Sequence, residues 1–223
     1  MKNFLFIFGI LALGLLTACS GDSKAAKATV GEAKKVTAPA AASSLKVNTA
    51  GSTINWSGSK PTGKHSGTIA ISNGTVLLDG GDLSGGNFTF DMTSITVTDL
   101  EGEGKANLEN HLKGMTDENK DHFFDVRTYP TATFEITKVA KLANDPDASH
   151  LVYGNLQIKD VTKEVGFKAK IANTNGKVSV TTPTFTIDRS DFNVKYGSSK
   201  FFPELKDKII HDDIELQISL NAM

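Results

Sequence analysis

From Leu45 to the end, the chain is built of short runs in which polar and apolar residues alternate, separated by Gly, Asn and Asp. Successive side chains on a strand point to opposite faces, so these runs predict strands with one buried face. Thr53–Ser57 and Thr68–Ser72 have this pattern. Asn73-Gly74 predicts a hairpin, with Val76-Leu77-Leu78 as the next strand. Gly85-Gly86 opens the alternation Asn87–Thr93, and Ile95 and Val97 continue it in the shifted register that a bulge gives. Thr131–Val139 follows. Leu151–Lys159 and Lys163–Ile171 predict a hairpin turning at Asp160-Val161-Thr162. Asn175-Gly176 predicts another, leading to Val178–Asp188, and Asp213–Leu220 ends the series. The stretch Glu103–Phe124 is polar, with Leu108, Leu112 and Met115 three or four apart, which predicts a short helix near Leu108–Lys113. About eight short antiparallel strands without strand-helix-strand alternation give an all-β fold, a sandwich or an up-and-down barrel.

The first 44 residues have another texture. Lys2 is followed by the apolar run Phe4–Leu16 and then by Leu16-Thr17-Ala18-Cys19. A positive start, a short apolar stretch and small residues before a cut form a secretory signal. The run is shorter than the about 20 residues a transmembrane helix needs. Cys19 is the only cysteine in the chain. Its position marks a lipobox, so residues 1–18 are expected to be a lipoprotein signal peptide and Cys19 the lipidated, membrane-held N terminus. Residues 19–44 are rich in Ala, Lys, Ser and Thr and poor in large apolar residues. They are expected to be a flexible tether with a typical span of about 25–30 Å. The folded domain is placed at 45–223. These features predict a location in the bacterial cell envelope, outside the cytoplasm. Ser20 points to the outer membrane, facing the periplasm, by the sorting rule of enteric bacteria.

With one cysteine there is no internal disulfide, so stability must come from a core. The formal net charge is −1, unlike the clustered basic surface of a nucleic-acid binder. No Gly-x-Ser-x-Gly elbow occurs, and Gly80-Gly81 and Gly85-Gly86 lack a phosphate-cradle pattern and suit tight turns. No catalytic set and no compact metal-ligand spacing is found. His111 and His122, with Asp117 and Asp121 between them, are the nearest approach to a metal site.

Several segments carry a family likeness in order. They are Trp56-Ser57-Gly58-Ser59-Lys60 with Gly63-Lys64-His65-Ser66-Gly67, and Gly85–Met92. Leu108 with His111-Leu112-Lys113 follows, then Phe123-Phe124-Asp125-Val126 with Tyr129-Pro130 and Ala132-Thr133-Phe134. Gly154–Lys159 with Val161-Thr162-Lys163, and Ile187–Phe192, complete the set. Through these the chain resembles the YceI-like family, the polyisoprenoid-binding, lipocalin-like extracytoplasmic proteins. The resemblance implies an eight-stranded antiparallel barrel, a helix across it and an apolar tunnel that holds isoprenoids, quinones or similar long-chain lipids. It implies no catalytic residues and no cofactor beyond such a lipid. The lipobox departs from the soluble members of the family.

The apolar members of each alternation are the candidate lipid-binding residues: Trp56, Ile69, Ile71, Phe88, Phe90, Met92, Phe134, Ile136, Leu156, Ile158, Phe167, Phe185 and Ile187. Leu112, Phe123 and Phe124 are expected on or near the covering helix. Taken alone, these stripes favour a filled core, because eight-stranded barrels can be packed solid; the resemblance turns the reading toward a tunnel. His65 and Arg189 are candidate headgroup contacts. For Arg189 the alternative is an ion pair with an acid such as Asp188 or Asp191. For His65 it is a turn-stabilising role. The functional expectation is a non-enzymatic envelope lipoprotein that binds or carries a long-chain lipid. The alternatives are an envelope enzyme acting on such a lipid and a structural lipoprotein with a filled barrel.

Overall fold

In the computed structural model, which describes residues 25–37 and 43–223, the alternating runs become strands of a single closed sheet. Its strands are β1 (Ala26–Lys27), β2 (Thr29–Glu32), β3 (Ser43–Lys46), β4 (Thr53–Lys60), β5 (Gly63–Asp79) and β6 (Asp82–Val97). After the helix α1 (Gly102–Lys113) come β7 (Thr131–Lys141), β8 (His150–Ile158), β9 (Val161–Thr174), β10 (Lys177–Thr181), β11 (Phe185–Asp188) and β12 (Asp213–Ala222). β4 through β10 run antiparallel around the wall. β12 closes it by pairing with both β10 and β4. The expected eight-stranded antiparallel barrel with a short helix is present, its inner face lined by Ile71, Val76, Phe88, Phe134, Val165 and their neighbours.

Asn73-Gly74 is not a hairpin. β5 passes straight through it and shifts register by a bulge between Ile71 and Asn73. The bulge keeps Ile71, Val76 and Leu78 buried on one side. Glycine is used at 74 for close packing, since a Cβ there would lie 2.7 Å from a Val47 methyl and 2.9 Å from the Phe88 ring. The turn lies farther on, at Gly80-Gly81, where both residues have positive φ and glycine carries no steric penalty. The bulge expected after Ser94 does occur. The pairing jumps from Thr68–Thr96 to Ala70–Asp91, and the Ser94 hydroxyl accepts the Ala70 amide at 2.8 Å.

Val178–Asp188 is broken into β10 and β11 around Thr182-Pro183-Thr184. Pro183 has no amide to donate to a ladder. Thr182 keeps the break attached to the wall: its amide donates to the Ile218 carbonyl, and its hydroxyl accepts the Ile218 amide. α1 begins six residues before the expected helix, at Gly102. It ends at Gly114, whose left-handed backbone lets its amide reach the Asn110 and His111 carbonyls.

The largest departure is in the N-terminal region. The expectation of a flexible tether through residue 44 does not hold for the described part of that segment. β1 pairs parallel with β11, and β2 pairs antiparallel with β9. Ala26–Glu32 thus lies as an extra stave between two wall strands. Ala28 is buried and gives its amide to the Thr186 carbonyl. Lys27 pairs with Asp213 at 2.9 Å, and Lys163 with Glu32 at 2.8 Å. The Lys34 backbone exchanges two hydrogen bonds with the Asn155 side chain. So polar a segment cannot bury a core of its own, but two open strand edges offer its backbone a full set of partners. Residues 1–24, including the expected signal and Cys19, lie outside the described residues.

Candidate ligand-binding cavity

The barrel encloses a cavity of about 690 Å³ that runs from the buried interior to the end covered by α1. Every apolar side chain named from the sequence lines it, Trp56 through Ile187, as do Leu112, Phe123 and Phe124. Alternation placed them correctly because each bulge restores the inward register instead of inverting it.

Four phenylalanines form a belt across the interior. Phe88 and Phe134 are 6.4 Å apart by ring centroid, Phe134 and Phe167 5.5 Å, and Phe167 and Phe185 4.7 Å. Phe167 and Phe185 stack with planes 9° apart. Phe134 reaches Phe167 past β8 because β8 carries Gly154 at the crossing. Gly67 makes similar room for Trp56, since a Cβ there would be 2.6 Å from the indole ring. The Nε1 of Trp56 is buried and finds no hydrogen-bond partner among the described residues.

The covered end is more polar. α1 supplies Leu108, His111 and Leu112 to the lining. It is tied to β6 by Glu109, whose carboxylate accepts the Val97 amide at 2.9 Å. The loop between β11 and β12 supplies Tyr196, Lys208, Ile210 and His211, and the β4–β5 hairpin supplies Lys60, Thr62 and His65. His111 Nε2 and His122 Nδ1 are 2.8 Å apart. His122 stacks on Tyr196 at 4.0 Å, and His111 meets Tyr196 and Phe123 edge-on. Asp117 does not join the histidines but pairs with Arg127 at 3.2 Å. Among the described residues no group of three or more His, Cys, Asp or Glu side chains converges.

The two polar candidates line the cavity, but both have protein partners. His65 Nδ1 lies 2.9 Å from Asp99 Oδ2. The Ser66 amide, more than His65, holds the Asp99 carboxyl below its ordinary range. Arg189 is buried and spans the β11–β12 loop. It donates to the carbonyls of Val194 at 2.8 Å, Ile210 at 3.1 Å and His211 at 3.2 Å, and its Nη2 lies 3.2 Å from Asp212 Oδ1. Its acidic partner is therefore Asp212, not Asp188 or Asp191. Asp188 instead caps the turn at Ser190 and pairs with Lys200. Tyr196 was not legible in the sequence, because Asn193–Lys200 has no apolar period to mark it.

The sequence model of the YceI-like domain matches residues 45–222. The chain belongs to the YceI-like family. BcnA of Burkholderia cenocepacia superposes on it with a TM-score of 0.60, at 21% identity over 79% of this chain and 99% of BcnA. A polyisoprenoid-binding domain from Saccharophagus degradans, implicated in plant cell wall breakdown, superposes with a TM-score of 0.54, at 12% identity over 80% of this chain and 97% of that one. At these identities the likeness is one of fold. No match is found among curated proteins. The stave formed by β1 and β2 lies outside the residues matched to the YceI-like domain.

Proposed function

We propose that this protein is a non-enzymatic lipid binder of the cell envelope. Its barrel sequesters or carries an isoprenoid or other long-chain amphiphile, and lipidated Cys19 holds it to a membrane. The observation that carries this reading is the continuous apolar cavity of about 690 Å³ inside the YceI-like barrel, within the about 300–1,000 Å³ usual for small-molecule sites.

Moving one isoprene unit out of water gains roughly 4 kcal/mol, at about 0.8 per carbon. A long tail, however, already sits in a bilayer. Its transfer into the cavity is then nearly neutral in hydrophobic terms, and shape and headgroup contacts decide occupancy. That balance suits a carrier that loads and unloads at a membrane.

Protein made with its own signal should release a long-chain lipid on organic extraction and carry the matching mass in native mass spectrometry. A barrel that yields no lipid, and takes none up when polyprenols, quinones and fatty acids are supplied, would sink the proposal. The anchor is tested separately. Cys19→Ala should move the protein out of the membrane fraction while leaving the lipid content per folded barrel unchanged.

A further inference from the structure

The loop between β11 and β12 covers part of the cavity mouth and carries apolar side chains that face solvent. Five large apolar residues are exposed among the described residues: Met115, Tyr196, Phe201, Phe202 and Met223. Met223 is the last residue of the chain. The other four all belong to the two segments that rim the mouth, the turn after α1 and the β11–β12 loop. Exposed aromatics gathered at one opening mark an interaction surface.

The loop has a second property. From Lys195 to Lys208 it holds four lysines, Lys195, Lys200, Lys206 and Lys208, against two acids, Glu204 and Asp207. Lys195 Nζ stands 5.0 Å from the centre of the Phe201 ring. Lys60 lies exposed on the neighbouring hairpin and also lines the mouth. The turn after α1 has the opposite balance, with Asp117, Glu118 and Asp121 beside Lys120. The basic, aromatic side is therefore the β11–β12 loop, with Lys60 of the neighbouring hairpin beside the mouth.

The N-terminal stave connects to this loop. Lys27 and Lys200 both approach Asp188 Oδ2, Lys27 at 3.8 Å. Lys200 directly precedes Phe201.

We propose that Phe201 and Phe202, with Lys195 beside Phe201 and Lys206 and Lys208 on the same loop, seat the barrel mouth on an anionic lipid bilayer. The occupant is a bilayer for two reasons: the surface is aromatic and basic, and it belongs to the loop that supplies Tyr196 and Lys208 to the mouth of an apolar cavity. Amphipathic aromatics enter the interfacial zone while lysines remain at the headgroups. Seating the mouth there gives a cargo lipid a path that avoids water. This inference rests on the lipid-binding reading above, and the test separates the two.

The full chain, with its own N terminus, is placed on vesicles of phosphatidylethanolamine and phosphatidylglycerol. The chain has one tryptophan, so Trp56→Phe with Phe201→Trp puts the only indole on the loop. Its emission should be quenched by lipids brominated near the headgroup and protected from aqueous iodide. An indole open to iodide and untouched by brominated lipid would overturn the docking surface, whatever the anchor does. In chains that keep Trp56, loading of cis-parinaric acid is followed by energy transfer from that residue. Phe201→Ser with Phe202→Ser should slow loading from vesicles at least tenfold, while uptake of the probe delivered in ethanol reaches the same level as in the parent. Equal vesicle loading rates would overturn the docking surface. A parent barrel that takes up no probe by either route would count against the lipid-binding reading, and the quenching result would still decide the docking surface.

Discussion

Phe134 passes so close over Gly154 that a Cβ at 154 would lie 2.3 Å from the ring's Cζ and 2.7 Å from its Cε2. The ring occupies the space that a side chain on β8 would fill, and through it the aromatic belt crosses from β7 to Phe167 on β9. Gly154→Ala should therefore push Phe134 out of line. Overpacking of this kind destabilises by about 1–3 kcal/mol. Urea unfolding should show a lower midpoint with an unchanged slope, and an unchanged midpoint would refute the packing role.

Arg189 is a clamp on the β11–β12 loop, so its loss should be felt in the fold before any ligand is added. Arg189→Ala leaves Asp212 without its cation and three carbonyls without a donor. Breaking a buried pair from one side removes about 3–5 kcal/mol. Arg189→Lys should restore little, because an ammonium lacks the planar fork that reaches three carbonyls at once. Denaturation of the lipid-free protein is the measurement. Wild-type stability in Arg189→Ala would return the residue to a headgroup role.

Acid should weaken the covered end. Burial first, and His122 second, hold the His111 imidazole below its ordinary value of 6.5. The unfolded chain then takes up this proton more readily than the folded one. The contribution is complete above about pH 6.5 and is lost as the pH falls from there through the lower folded value. The Asp99 carboxylate acts in the same sense at lower pH, being held below its ordinary value of 3.8. Unfolding free energies at pH 7.5 and 5.5 should differ less in His111→Gln than in the parent, and equal pH slopes would remove His111 as the cause.

Removing residues 25–34 should expose two particular strand edges. The amides and carbonyls of β9 that face Thr29–Glu32, and those of β11 that face Ala26 and Lys27, would lose their partners. Hydrogen exchange should quicken at Val161–Gly166 and Phe185–Asp188, while the β5–β6 pairing stays protected. Uniform quickening throughout the barrel would mean that the stave supports the whole fold and not only this gap.

Much of the site was legible because a strand's side-chain period survives its own irregularities. Ile71 and Val76 stay on one face across a bulge, so an inward set read from alternation includes the actual lining. The turn at 73–74 was misread because Asn-Gly has two uses. The same glycine that permits a tight turn also permits the close approach of Val47 and Phe88. The N-terminal stave was hidden for another reason. Strand pairing through the backbone needs little from side chains, and an Ala- and Thr-rich segment carries no hydrophobic signature of the edges waiting for it. The commitments of Arg189 were equally invisible, since its partners are carbonyls of a loop without periodicity.

That stave also bears on the order in which the protein folds. Lys27 meets Asp213 across a separation of 186 residues, and β12 must cross the whole domain to meet β4. Contacts so distant in sequence form late and slowly, because loop closure comes before any reward. Without the β12–β4 pairing the sheet has two open edges and encloses no cavity. The binding space thus depends on one of the longest-range pairings in the chain. A lipid that fits only the closed barrel would draw this closure forward by mass action, so that cargo and native state would each select for the other.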